Sequence, residues 1–313
     1  MSDAPQRPRN LSRPAPLSDV DLRQLRVFAE IVRCGGFSAA QGSLGMNQAT
    51  ISTHMRNLED RLGLRLCERG RSGFVLTEEG KQVHSAALDL FGSLERFRST
   101  VGDTRGELAG QIGFATVDAM VTNGGFDLPR VFAAFQRLAP RVRLEVDIAA
   151  PQALIQGIHN GRYQLALLPA QDQVPQLHQE PVFRETQKLY CGVGHDLFDR
   201  PDAEIADEML VKQAFAARSY MPSDTVCGVR FLRAAVTGHM EGTLTLILSG
   251  AFIGFLPDHY AESYVAQGRL RAIRHERMTF EDEFCIVSAG ARLTRAAQLL
   301  SDIIQVTAGQ RTR

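Results

Sequence analysis

The sequence contains no tryptophan, only five cysteines in 313 residues, and aromatic side chains at 7%. Cys34, Cys67, Cys191, Cys227 and Cys285 show no short paired spacing of the kind that holds zinc or an iron–sulfur cluster. With no secretory signal ahead of them they read as reduced thiols. No apolar run is long enough to span a bilayer, so the chain is expected in the cytoplasm and off the membrane. The catalytic fingerprints are missing as well: there is no Gly-x-Ser-x-Gly, no Gly-x-x-x-x-Gly-Lys, and Gly192-Val-Gly194 lacks the third glycine of a dinucleotide loop. Histidines do not cluster at metal spacing. An enzyme is therefore not expected, nor is a cofactor or a metal. Net charge is absent too, with 35 Lys and Arg against 35 Asp and Glu. That balance hides a split. Residues 1–105 hold 15 basic and 12 acidic side chains, and the remainder 20 and 23. A nucleic-acid surface needs only a local basic patch, so neutrality overall does not exclude one.

What is present starts after a Pro- and Arg-rich stretch, residues 1–18, read as a disordered tail in which Arg7, Arg9 and Arg13 are solvated. From Val20 to Arg33, Leu22, Leu25, Phe28, Ala29 and Val32 recur at helical steps. Gly35 and Gly36 stop that helix. Ser38 is placed to cap a short second helix carrying Ala39, Ala40 and Leu44, and Gly45 breaks it. Asn47 is an N-cap for a third helix, whose Ile51, Met55, Leu58 and Leu62 step 4, 3 and 4 and so point inward. Gln48, Ser52 and Arg56 share another face, with Thr50 and Thr53 beside it. Gln and Arg can bond base edges, and Ser, Thr and Arg can bond phosphates. The same spacing would also fit a plain three-helix bundle with a polar exterior. The next segment favours DNA: Leu64 to Leu76 reads as two short strands about Arg71-Ser72-Gly73, with Arg65, Arg69 and Arg71 in or beside the hairpin, a basic wing.

Residues 20–80 resemble the winged helix-turn-helix of LysR-type transcriptional regulators. The resemblance rests on Leu58-Glu-x-x-Leu62-Gly63, Leu66-x-Glu68-Arg69 and Leu76-Thr77-x-x-Gly80, which stand in that family's order and spacing. Cys67 departs from it where Phe is usual. The DNA-binding set expected from the face and the resemblance is Ser38, Asn47, Gln48, Thr50, Ser52, Thr53, Arg56, Arg65, Arg69 and Arg71.

Thr77 can cap a long helix over 78–105, with Glu78 and Glu79 in its first turn. Val83, Ala87, Leu90, Leu94, Phe97 and Val101 step 4, 3, 4, 3, 4 along it. That rhythm suits either a dimer seam or packing against its own domain, and the resemblance implies the seam.

Beyond a small, polar boundary near 104–110 the rhythm becomes alternating strand and helix, as in an open α/β sheet. Strands are expected at Gln111–Ala115, Val142–Ile148, Leu165–Leu168, Gln187–Val193 and Ile253–Leu256. Helices are expected at Phe126–Leu138, Ala153–Asn160, Val229–Val236, Thr243–Leu248 and Thr294–Val306. Gly161-Arg-Tyr-Gln-Leu-Ala-Leu167, Gly250-Ala-Phe-Ile-Gly-Phe-Leu-Pro257 and Gly268-Arg-Leu270 are similar to elements of the LysR-type effector domain. The chain thus reads as a multi-domain α plus α/β protein. It comprises the tail, a winged domain at 19–77, the linker helix, and a two-subdomain effector domain at 111–313 resembling type 2 periplasmic binding proteins. The subdomains are expected at 111–185 with 286–313, and at 188–283, joined by crossover strands near 184–189 and 282–287.

In that architecture a ligand lies between the subdomains, at strand ends and helix N-termini. Thr116, Asp118, Asn123, Ala170, Arg218, Ser219, Tyr220, Thr237, His239 and Glu241 fall there. A carboxylate would suit a helix N-terminus, whereas Asp118, His239 and Glu241 would suit an amine. The expected partners are double-stranded DNA, a small-molecule effector, a second copy of the chain as a dimer or dimer of dimers, and RNA polymerase. An alternative within the same fold is redox sensing through Cys191, Cys227 and Cys285.

Overall fold

A computed structural model describes residues 16–70, 73–104, 108–171, 174, 176–221, 223–274, 276–290 and 293–309. The expected tail at 1–15, with Arg7, Arg9 and Arg13, lies outside the described residues, as does Arg71. Two compact units divide the chain, Met1–Phe91 and Gly92–Arg313.

In the first unit, α1 (Asp19–Cys34) starts on Ser18, whose hydroxyl accepts from the Asp21 amide while the Asp21 carboxylate accepts from the Ser18 amide. This reciprocal cap satisfies donors a helix start leaves open. Arg61 lies 3.2 Å from the Asp21 carboxylate. Bonds from Ser18, then from Arg61, hold that carboxyl below its usual value. Gly35 ends α1 in the left-handed region. The short α2 (Ala40–Leu44) does not use Ser38 as its cap: the N-cap is Ala39, which makes no side-chain bond, and the Ser38 carbonyl and hydroxyl both lie within reach of the Gln41 amide. The backbone at Ala39 is already helical, so a cap one residue earlier has no open amide to meet.

Helix α3 (Gln48–Leu62) begins on Asn47, whose Oδ1 accepts from the Thr50 amide at 2.8 Å. Ile51, Met55 and Leu58 are buried as the spacing required, in a core with Leu25, Val27, Phe28, Ile31, Leu66 and Cys67. The departure at Cys67 is therefore a core thiol. A hairpin of β1 (Cys67–Gly70) and β2 (Gly73–Leu76) follows, in antiparallel register, and α4 (Glu78–Thr104) after it. The residues of the family motifs hold this hairpin in place. Glu59 Oε1 accepts the Leu66 amide at 2.8 Å. Thr77 Oγ1 donates to the Arg65 carbonyl at 2.6 Å and accepts from the Gly80 amide at 2.9 Å. A Cβ on Gly80 would lie 1.9 Å from the Leu66 carbonyl oxygen, so only glycine lets the helix approach the strand this closely.

The heptad stripe of α4 divides. Ala87 is buried in the core of the winged domain, and Val83, Leu90 and Phe91 pack against that core. These three expected seam residues, Val83, Ala87 and Leu90, thus pack on their own domain, because over its first turns the helix still covers Phe28 and its neighbours. Phe97 and Val101 lie further along and are 67% and 38% exposed.

In the second unit come β3 (Ala109–Thr116), α5 (Leu128–Leu138), β4 (Arg141–Ile148), α6 (Pro151–His159), β5 (Leu165–Pro169), the long β6 (His178–Gly192) and α7 (Asp207–Leu210). Then follow β7 (Ala214–Arg218), β8 (Thr225–Val226), β9 (Val229–Arg230), β10 (Leu232–Thr237), α8 (Met240–Leu248), β11 (Ile253–Pro257), α9 (Asp258–Ala266), β12 (Leu270–Ala272), β13 (Thr279–Ser288) and α10 (Arg295–Gly309). The described strands run β10-β7-β11-β6-β13-β5-β3-β4, with β12 also on β6. The long antiparallel pair β6–β13 is the expected crossover: β5 and β3 continue the sheet on one side, β11 and β7 on the other. The helix expected at Val229–Val236 is strand instead, because Leu232–Thr237 pairs in parallel with β7. Separate cores lie under the two halves, one around Phe114, Phe135 and Leu167, the other around Leu189, Phe215 and Phe255. Gln164 accepts the Gly113 amide at 2.6 Å and so ties β3 to the loop before β5.

Replacing Gly80 by Ala is expected to destabilise the N-terminal unit by about 1–3 kcal/mol through overpacking on a backbone oxygen that cannot move away cheaply. Calorimetry should show a lowered transition for that unit, and an unchanged melt would contradict the close approach.

Candidate functional site

The candidate residues gather on two surfaces, one in each unit. On α3 the buried stripe fixes the helix about its axis, so Gln48, Thr50, Thr53 and Arg56 face solvent and Ser52 is half-buried. The threonine hydroxyls are engaged within the helix: Thr50 Oγ1 donates to Asn47 Oδ1 at 2.9 Å and Thr53 Oγ1 to the Ala49 carbonyl at 3.0 Å. Gln48 and Arg56 are left with their donors outward. Arg65, just before β1, and Ser38 are exposed too. The side chain of Arg69 is not among those described.

The second surface lies between the halves of the second unit. The loop after β3 enters it with Asp118. This carboxylate accepts the amide of Met240, the first residue of α8, and so supplies from one half the cap that the other half's helix lacks, since His239 makes no side-chain cap bond. His239 Nδ1 is 3.9 Å from the same carboxylate. Ala119 holds φ at 63° in the left-handed region, a strained conformation for an L-residue and one found more often at functional loops. The loop continues to Thr122, whose Oγ1 lies 2.9 Å from His259 Nδ1 at the start of α9.

His259 leads to the centre of the site. Its Nε2 is 2.8 Å from Glu185 Oε1 on β6. Asn123 Nδ2 donates to the same oxygen at 3.2 Å, and Gln187 Nε2 donates to Glu185 Oε2 at 2.7 Å. Glu185 stands opposite Asp282 in the β6–β13 register. Asp282 in turn lies 3.9 Å from the buried Arg218 at the end of β7, whose guanidinium sits 5.5 Å from the centre of the Tyr220 ring. Burial raises the Asp282 carboxyl above its usual value, Arg218 opposes the rise, and the Glu185 charge adds to it. Burial also raises the Tyr220 hydroxyl, against the pull of Arg218.

The expected effector residues divide on this geometry. Asp118, Asn123, Arg218, Tyr220 and His239 belong to the polar network or touch it. Thr116 does not: it is buried and its hydroxyl donates to the Leu167 carbonyl at 2.9 Å, fastening β3 to β5. Thr237 bonds the His239 backbone, the Ser219 amide donates to the Thr237 carbonyl, and the Ala170 amide donates to the Glu283 carbonyl, so these hold loops in place. Glu241 is exposed on α8. Glu185, Gln187, Asp282, Thr122 and His259 went unnoticed in the sequence. One signal was available: Glu185 and Gln187 share the face of β6 that continues to the core residue Leu189, and a polar residue on a buried face asks for a partner.

Burial works against the thiolate at the three cysteines of the redox alternative. Burial pushes the Cys191 thiol up to about 12 and raises those of Cys227 and Cys285. Cys285 also belongs to a different core from Cys191. A sensing thiol needs the opposite shift.

Residues 22–81 match the family model of the bacterial regulatory helix-turn-helix protein, lysR family, and residues 105–308 match that of the LysR substrate binding domain. The HTH-type transcriptional activator BauR of Pseudomonas aeruginosa is 38% identical over 278 residues, covering 88% of this chain and 91% of that protein. Among solved structures, full-length CbnR complexed with its target DNA aligns with a TM-score of 0.58 at 18% identity, over 92% of this chain and 99% of that one. ArgP from Mycobacterium tuberculosis aligns with a TM-score of 0.57 at 15% identity, over 91% and 96%.

His259→Ala is expected to destabilise the second unit by about 1.5–3 kcal/mol, the range for hydrogen bonds to a charged group. Asp118→Ala, which removes a helix cap, is expected to cost about 1 kcal/mol. Denaturant unfolding followed by circular dichroism measures both, and stabilities equal to wild type would remove these contacts from the account.

Proposed function

The chain belongs to the LysR family of transcriptional regulators, and on that footing we propose that the outward face of α3 reads an operator while a small molecule held between the halves of the effector domain controls the binding. The observation that carries this reading is the pairing of an outward-facing, uncommitted Gln48 and Arg56 with a cross-half polar network centred on Glu185 in one chain. Gln48 acts at base edges in the major groove, and Arg56 with Arg65 of the wing acts at phosphates. Asn47 closes the helix end nearest the backbone.

Two copies of the chain assemble through the later part of α4. Leu94, Phe97 and Val101 continue the apolar stripe beyond the part that the winged domain uses, and Phe97 is largely exposed. A dimer places two recognition helices on half-sites one helical turn or a multiple apart. The effector site is the network of Asp118, Asn123, Glu185, Gln187, Arg218, Tyr220, His239, His259 and Asp282. Its work is binding, and a ligand that prefers one arrangement of the halves shifts the regulator toward it. This activity places the protein in the cytoplasm with the chromosome and with RNA polymerase as the eventual partner. No helix among the described residues is long and apolar enough to cross a membrane.

Arg56→Ala is expected to weaken binding to all duplexes and to reduce the slope of log affinity against log salt by about 1, the release of one phosphate contact. Gln48→Ala should instead relax preference at one base pair by about 1–3 kcal/mol. Fluorescence anisotropy across a salt series separates the two, and variants that bind like wild type would refute the face. Leu94→Lys combined with Phe97→Lys should yield monomers in sedimentation; a persisting dimer would place the seam elsewhere.

A further inference from the structure

Among the described residues, the polar network between the halves includes one buried donor without an acceptor and one buried acceptor without a donor. Arg218 is 5% exposed and its Nε has no hydrogen-bond partner among the described residues. Gln187 is fully buried and its Oε1 is in the same condition. Unpaired buried polar atoms are rare, and each asks for a reason. These two terminate one chain of side chains: Arg218 pairs with Asp282, Asp282 faces Glu185 across the β6–β13 register, and Glu185 accepts from Gln187. The period of two along each strand puts Glu185, Gln187 and Asp282 on one face of the crossover. Among the described groups of the network, the carboxylates of Asp118, Glu185 and Asp282 stand with one guanidinium, that of Arg218, and the imidazoles of His239 and His259. Burial already disfavours the ionised form of Asp282.

We propose that the effector is a small zwitterion, its carboxylate accepting from Arg218 Nε and its ammonium donating to Gln187 Oε1 and to the Glu185–Asp282 carboxylate pair. The inference rests on the ligand-gated reading above. A simple carboxylate would leave Gln187 Oε1 unpaired and add a negative charge beside the Glu185–Asp282 pair. A simple amine would leave Arg218 Nε unpaired. A zwitterion satisfies both orphans and brings no net charge into a poorly solvated site. The Tyr220 ring, set against the Arg218 guanidinium, flanks the carboxylate end.

The test is calorimetric titration of the full-length protein with linear ω-amino acids of two to six carbons. Each is compared with the amine and the carboxylate of equal chain length that carry one charged end only. One or two adjacent chain lengths should bind, each single-ended probe at least about tenfold more weakly. Arg218→Lys keeps the positive charge but loses the guanidinium fork, and Gln187→Met keeps the length but loses the acceptor. Each should weaken the zwitterion by about tenfold or more in protein whose ligand-free melt shows a folded domain. A single-ended amine or carboxylate that binds wild type as tightly as the zwitterion would overturn the proposal whatever the variants do. So would the absence of binding by any probe to protein that still recognises its DNA sequence; that result rejects the zwitterion and leaves the regulator reading intact. Protein that shows no sequence-specific DNA binding in a gel shift rejects the regulator reading itself.

Discussion

A carboxylate withdrawn from water has to be met by donors, and Glu185 is met by donors from every part of the effector domain. Asn123 comes from the loop after β3 in one half, Gln187 from the crossover strand itself, and His259 from α9 in the other half. The three thus bring both halves and the crossover strand to one carboxylate. Asp118 repeats the arrangement by capping α8 across the same divide. The halves share the β6–β13 ladder and keep separate cores, and these polar bonds join them beside that ladder. Polar bonds are what a polar ligand can replace, and the proposed effector would act there.

The winged domain obeys a complementary rule, in which the core decides and the surface follows. Once Ile51, Met55 and Leu58 are inward, the rotation of α3 is fixed and Gln48 and Arg56 have nowhere to point but out. The motifs that mark the family do their work one layer below the exposed face of α3. Glu59 holds the amide of Leu66, Thr77 clasps the Arg65 carbonyl, and Gly80 clears the Leu66 oxygen. They position the wing without using the exposed side chains of α3.

Much of this was legible in the sequence because local rules govern it. The cap at Asn47, the breaks at Gly35 and Gly45, the inward stripe of α3 and the buried strand Ile253–Pro257 all follow from spacing within one element. The failures share a cause, which is that a partner distant in sequence decides. Leu232–Thr237, with two alanines in a row, has helical composition but completes a sheet beside β7. The stripe from Val83 to Val101 is continuous in sequence, yet Ala87 goes to a core built by α1 and α3. Thr116 sits at a strand end where ligands are often held, but the Leu167 carbonyl claims its hydroxyl. Glu185 and His259 are 74 positions apart, and neither is conspicuous until the fold brings them within 2.8 Å.

The central claim is that the state of the Glu185 network is felt at the DNA. Glu185→Gln keeps the shape of the side chain and removes its charge, so the network loosens without leaving a cavity. The direct measurement is a footprint and affinity titration of this variant beside wild type on one operator duplex. The account predicts a changed footprint length, or an affinity changed by about fivefold or more, the lower end of ordinary coupling between sites. Superimposable footprints and affinities, in protein with a folded effector domain, would contradict it.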